Sequence, residues 1–347
     1  MMKKMIHIIM ILAVIGALIL PNGLLAKNEK LGQTGFQFLS VVSDARAAGM
    51  ADAMTSLQIG SSALFFNPAG MASMSGMIDG TASVNSWIAE IQHNTFSIAL
   101  SPADGNYGVI GFSFQSVNYG DFYGTRVNKG LNAGYEDTGI FTLSANALGV
   151  GYAKRLTDRF SVGGQYRMVY QDLGNSVIPL IQTLTDTAGV AYQDTSGKTV
   201  SSSLSPYALD FGTQFKTGYK SLVFGMSVRN FSKEIMYVEE GFQLPLVFNL
   251  GISMDLMDVI GTGGLDQTLY MSIDASHYRS HREQLNIGLD YNLMKMLSVR
   301  TGYTTGSDES GLSFGLGVSK FGFTFDYAYT PYGVFGNVQR MTVRFAL

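Results

Sequence analysis

The 347-residue sequence has no cysteine, only 7 prolines and few charges, with 14% of residues being Asp, Glu, Lys or Arg. Without sulfur ligands it cannot be a disulfide scaffold or carry a thiolate zinc or redox centre. With 46% hydrophobic residues it is not a disordered chain, which needs low hydrophobicity and high charge. Its formal net charge is −3, so the basic excess of a nucleic-acid binder is missing. After Leu25 no apolar run approaches the ~18 residues of a membrane helix. What is abundant is glycine, 41 residues, together with 22 Phe and 18 Tyr.

The first 26 residues read as a cleavable export signal. Lys3 and Lys4 precede an apolar run from Met5 to Leu20, broken only by His7 and Gly16. Pro21, Asn22 and Gly23 follow, with a cut expected after Ala26. A basic start, an apolar middle and a small residue at the cut define such a leader. The run is short of the ~20 residues that span a bilayer as a helix. An exported, cysteine-free protein points to a bacterial envelope.

Downstream, apolar side chains recur at every second position. Phe321, Phe323, Phe325, Tyr327 and Tyr329 alternate with Gly322, Thr324, Asp326 and Ala328. Leu312, Phe314, Leu316 and Val318 alternate with Ser313, Gly315, Gly317 and Ser319. In a strand, successive side chains point to opposite faces. Fourteen such segments are predicted, near 80–89, 92–101, 106–118, 140–154, 159–172, 203–216, 220–231, 245–255, 266–276, 284–294, 296–304, 311–319, 321–329 and 338–347. The phase slips within 140–154, as a bulge would make it. Connections alternate between short turns, such as Thr157–Asp158, Lys295 and Lys320, and long loops at 119–139, 173–202 and 232–244. That alternation and an even strand count belong to transmembrane barrels.

The composition of the two faces decides what surrounds the barrel. A strand face in water would be rich in Lys and Glu. The polar face here is Gly, Ser, Asn, Gln and Thr with isolated charges: Arg167, Asp210, Arg229, Asp255, Asp274, Asp290, Arg300, Asp326 and Arg344. Small residues and paired charges suit an enclosed lumen, while the Phe, Leu, Val and Met of the other face suit lipid. The expected fold is all-β, a 14-stranded antiparallel transmembrane β-barrel over residues 77–347, in contact with outer-membrane lipid.

Residues 33–76 do not alternate. Asp44 to Met54 is alanine-rich and predicts a short helix capped by Ser43 or Asp44. Pro68 fixes its own backbone and holds Asn67 extended. Small residues and scarce charge predict that 27–76 folds inside the lumen as a short helical plug.

These same residues carry a resemblance. Gly35-Phe36-Gln37-Phe38-Leu39, then Asp44-Ala45-Arg46-Ala47-Ala48-Gly49-Met50, then Phe66-Asn67-Pro68-Ala69-Gly70-Met71 resemble the N-terminal signature of PorV/PorQ-type outer-membrane proteins. Those are relatives of the FadL barrel. The ending Asp326-Tyr327-Ala328-Tyr329-Thr330-Pro331-Tyr332-Gly333, followed by Gly336-Asn337, resembles the same family. Ala51-Asp52 stands where that family usually has a glycine pair, and Leu347 where it has an aromatic residue. The resemblance implies a hatch built on Asp44, Arg46, Gly49, Asn67, Pro68, Ala69 and Gly70. It also implies one of two functions. The first is an accessory of type IX secretion, binding a translocon or secreted cargo through the outer loops, with Val177–Ile181 as the expected contact. The second is a FadL-like channel for hydrophobic small molecules, with Phe65, Phe66 and Met71 as candidate liners, packing of the plug to the wall being their more ordinary use.

Other motifs do not carry chemistry. Gly311-Leu312-Ser313-Phe314-Gly315 matches a nucleophile elbow but lies in a clean alternating strand, where the elbow's strand–turn–helix cannot form. His277 and His281 have helical metal-ligand spacing without a helix pattern. Gly261-Thr262-Gly263-Gly264 reads as a turn. No cofactor, metal or enzymatic reaction is expected.

Overall fold

Each of the fourteen alternating segments forms a strand in the computed structural model, which describes residues 31–127, 131–179, 182–185, 191–194, 197–237, 240–261, 266–307 and 311–347. The expected export signal lies outside these residues, as do the side chains of 176–200 and hence the Val177–Ile181 contact. The wall strands are β1 Ile78–Ser86, β2 Gln92–Leu100, β3 Val109–Val127, β4 Tyr135–Arg155, β5 Phe160–Pro179, β6 Tyr207–Lys216 and β7 Val223–Phe231. They continue as β8 Val247–Asp255, β9 Gln267–Tyr278, β10 Gln284–Leu293, β11 Leu297–Thr305, β12 Leu312–Lys320, β13 Phe323–Pro331 and β14 Asn337–Ala346. Every strand pairs antiparallel with its sequence neighbour, and β14 returns to pair with β1, Gly80 opposite Phe345, which closes the ring.

Burial follows the alternation and is inverted relative to a soluble protein. On β12, Leu312, Phe314, Leu316 and Val318 are 47–58% exposed, while Ser313 between them is 3% exposed. The same pattern runs round the ring: Phe96, Phe112, Phe211, Phe224, Leu250, Val299 and Met341 face out, and Ser97, Ser113, Asp210, Ser227, Asn249, Arg300 and Thr342 are buried inside. A belt of large apolar side chains around a polar interior is the surface of a barrel whose solvent is hydrocarbon.

Two expected loops are partly strand. β3 and β4 are 19 and 21 residues long, about twice the ~10 that cross a bilayer. Much of the predicted 119–139 loop is therefore a hairpin rising ~30 Å beyond the belt, at ~3.3 Å per residue. Likewise β5 runs on to Pro179 and pairs with Gly197–Leu204, an upward extension of β6, across the predicted 173–202 loop. The expected bulge lies on the neighbouring strand. Register shifts between Asn118 and Asp121 of β3, opposite Leu143 of β4.

Candidate functional site

The space inside the ring is filled by residues 34–74. This segment uses short 3-10 turns and one five-residue helix, α1 Ala45–Gly49. Asp44 caps α1, accepting from the Ala47 amide at 2.9 Å and from the Ser62 hydroxyl at 3.0 Å. That cap ties the helix to a later turn of the same segment. After α1 the chain reverses through Ala51 and Asp52, both left-handed with φ 51° and 63°. A side chain in that region costs ~1–2 kcal/mol per residue, which is why glycine is favoured there. Pro68 opens the turn Pro68–Ser73, and the Asn67 side chain caps it by accepting from the Ala69 amide at 3.1 Å. Asn67 also donates to the carbonyls of Thr55 at 2.7 Å and Thr213 at 3.0 Å, joining two parts of the segment to β6.

Wall charges reach inward to this segment. Arg46 meets Asp290 at 3.0 Å, Asp290 also accepts from Arg300 at 3.0 Å, and Arg300 bonds Asp326. The Ser61 amide donates to Asp79 at 2.7 Å and the Thr55 amide to Asp274 at 2.8 Å. Arg344 donates to the Ile59 carbonyl at 2.6 Å, and Arg340 to the Val42 carbonyl at 2.8 Å. The remaining expected lumen charges are also inside. Arg167 pairs with Asp210 at 2.8 Å and with Asn230, Arg229 lies 6.0 Å from the Phe66 ring centre, and Asp255 caps the turn after β8 by accepting from Met257.

Inward glycines admit the segment where charges do not. A Cβ at Gly163 would sit 2.5 Å from the Ala69 amide, and one at Gly288 2.6 Å from the Met50 carbonyl. At Gly212 it would collide with Asn67 Oδ1, and at Gly302 with the Ala51 amide. Gly49 faces Gly315 across the same kind of contact, and a Cβ at Gly70 would press on the Leu57 carbonyl at 3.0 Å. Much of the glycine excess thus marks where the inner segment touches the wall.

Above this packing, at the end bearing the long hairpins, lies a chamber of about 530 Å³. Its floor and sides are Phe36, Phe38, Trp87, Tyr119, Tyr237 and Phe242, with His93 and Gln171 between them. The rings form a connected set: Tyr237 stacks on Phe242 at 5.4 Å, Phe242 on Phe36 at 6.2 Å, and Phe36 is 6.3 Å from Phe38. Burial, with Tyr119 and Asp172 nearby, pushes the Tyr237 phenol up to about 12, so it stays protonated. A second chamber of about 420 Å³ adjoins the first through Gln37, Val41 and Trp87 and is more polar, with Asp52, Tyr278, Asn286 and Arg340. A third of similar volume opens at the short-turn end beside Arg46, Leu57, Lys216 and Tyr270. The inner segment and its ion pairs lie between the two ends.

The sequence-based liners are corrected. Phe66 and Met71 are buried in the core between inner segment and wall, with Phe65 packed against it, and none of the three lines the large chamber. The rings that do line it come from four separate stretches of chain, 36–38, 87, 119 and 237–242, which no local pattern connects. Arg340 was missed, although the alternation that places Thr342 and Arg344 inward would have found it; Asp79 and His93 were not singled out by any spacing. His277, near the end of β9 and exposed, pairs with Glu283 at 3.1 Å, His281 contacts Ser280 at 2.5 Å, and Ser313 lies within β12.

No family model matches the sequence, and no curated protein matches it. Solved structures do. The Pseudomonas putida toluene transporter TodX aligns with a TM-score of 0.56 at 12% identity, over 92% of this chain and 98% of its own. The Ralstonia pickettii toluene transporter TbuX gives 0.56 at 12%, over 86% and 96%. A Pseudomonas aeruginosa FadL homologue gives 0.53 at 12%, over 88% and 98%. At such identity the likeness establishes architecture: this chain has the 14-stranded barrel fold of FadL-like proteins.

Proposed function

We propose that this protein is an outer-membrane channel for hydrophobic small molecules, with residues 27–76 as its hatch. The observation that carries the reading is the aromatic chamber at the long-hairpin end, set in a barrel whose outer surface suits lipid and resting on a tightly docked inner segment. Apolar solutes collect in such a chamber because ring surface leaves water, at ~25 cal/mol per Å² buried. The long hairpins face outward and the short turns face the periplasm, as in barrels of this class. Passage between the two ends requires the inner segment to shift, so Arg46, Asp290, Arg300 and Asp326 form the fastening that sets how easily the hatch moves. The neighbours support the same reading: TodX and TbuX are described as toluene transporters, and CymD, with a TM-score of 0.51 at 10% identity, as a monoaromatic hydrocarbon channel.

The secretion-accessory reading, with a type IX translocon or cargo as partner, rests on the PorV/PorQ-like motifs at the two ends of the chain and stands second. Gene deletion separates the two. Impaired hydrocarbon uptake with normal surface proteins is the expected outcome, and loss of surface proteins with normal uptake would replace the channel reading by the secretion role. For the hatch, deletion of residues 33–76 raises small-solute conductance in a planar bilayer; unchanged conductance would reject it.

A further inference from the structure

The aromatic chamber is not purely apolar. His93 projects inward from β2, is 2% exposed, and its Nδ1 is buried without a hydrogen-bond partner among the described residues. Its ring meets the edge of Trp87 at 6.2 Å, and Trp87 in turn meets Tyr332 at 4.9 Å. The Tyr237 hydroxyl on the same chamber is likewise buried and unpartnered. Most buried polar atoms in proteins are paired, and leaving one unmatched costs ~1–3 kcal/mol. Two such atoms on one chamber are therefore placed to meet a group that enters it.

The chemistry of that group follows from the lining. Among the described residues that line the chamber the only carboxylate is the exposed Glu240, and there is no Lys or Arg. Arg340, 5.5 Å over the Trp87 ring, and Asp172 adjoin this lining but are already engaged, Arg340 with the Val42 carbonyl and the Thr330 hydroxyl and Asp172 with the Gly174 amide, so a carboxylate or ammonium head would be buried there without a free counter-charge, which is strongly unfavourable. For the same reason His93, buried beside Trp87 and without a carboxylate partner among the described residues, is a neutral imidazole that offers one accepting and one donating nitrogen. The protonated Tyr237 phenol both donates and accepts. A neutral hydroxyl, which also does both, matches this pair, and the rings around it match an apolar body.

We propose that the chamber selects uncharged apolar molecules bearing a hydroxyl group, with His93 as the specificity-determining residue. This rests on the channel reading above and narrows its substrate class from hydrocarbons to alcohols or phenols.

The sequence holds one tryptophan, Trp87, and it lines the chamber, so its emission reports occupancy directly. Full-length protein in detergent is titrated with cyclohexanol and with methylcyclohexane, which have similar size and do not absorb in the tryptophan range. Both compounds shift Trp87 emission in the wild type. In His93→Phe, which keeps a ring against Trp87, the apparent affinity for cyclohexanol falls about tenfold while that for methylcyclohexane is unchanged. His93→Gln, which keeps an acceptor and a donor, restores most of the loss. Tyr237→Phe, which removes only the hydroxyl, gives a smaller fall of the same selectivity and serves if His93→Phe does not yield a folded barrel. Equal effects on the two compounds, or none, would overturn the hydroxyl inference while leaving the channel reading intact. No response to either compound in the wild type would overturn both.

Discussion

The two sides of the wall hold the inner segment by different physics. On the β9–β14 side charge is added to close packing: Asp274, Asp290, Arg340 and Arg344 each bond it through a charged group, beside backbone contacts at Gly288, Gly302 and Gly315. On the β4–β7 side it is steric: Gly163, Gly212 and Gly225 let the backbone approach so closely that a Cβ would collide, and Asn67 locks the contact. A buried ion pair is all-or-none, since losing one partner strands the other in a low dielectric. Close packing fails by degrees, according to how much volume is added or removed. In the proposed channel, the β9–β14 side is the one where loss of an ion pair would loosen the segment abruptly.

Four substitutions sharpen or break that contrast. Asp290→Ala has the largest effect. It leaves Arg46 and Arg300 buried with less compensation, and weakens docking by ~3–5 kcal/mol; limited proteolysis of the inner segment and single-channel conductance both rise. Gly212→Val drives a branched side chain into Asn67 and costs ~1–3 kcal/mol, read as a lower thermal midpoint of the heat-modifiable band on gels. Asn67→Ala removes a turn cap and two donors to carbonyls, and costs ~1–2 kcal/mol, with proteolysis near 67–74 rising while cuts near 44–50 do not. Ala51→Gly goes the other way. It relieves a left-handed alanine and stabilises docking by ~1 kcal/mol, raising the thermal midpoint. If Asp290→Ala proved no worse than Asn67→Ala, the contrast between the two sides would fail.

The wall was legible in the sequence because hydrocarbon outside and a polar lumen inside impose opposite chemistry on alternate residues. Where that constraint ends, so does the signal. Above the belt both faces of β3 meet water, and Asn118-Tyr119-Gly120-Asp121 reads as a loop although its chain pairs with β4 on either side of a register shift. Asp44 was legible as a cap because capping is a local bond to an amide three residues on; Asn67 was read only as extended before Pro68, and it too caps, through the amide two residues on. The partners that hold Arg46 and Arg344 were not, since Asp290 and the Ile59 carbonyl lie 244 and 285 residues away. The aromatic chamber stayed hidden for the same reason. Trp87 and His93 sit at the top of the first hairpin, and only ring closure brings them beside Tyr237 and Phe242.

Because β14 hydrogen-bonds to β1, the cylinder cannot shut until its last strand arrives, although the residues that occupy its bore come first along the chain. The Ala45 amide finds the Thr342 hydroxyl across 297 positions, a separation that makes assembly slow. Because its fastenings come from β1 as well as from β9 to β14, the occupant gains its full set of bonds only once the cylinder has closed.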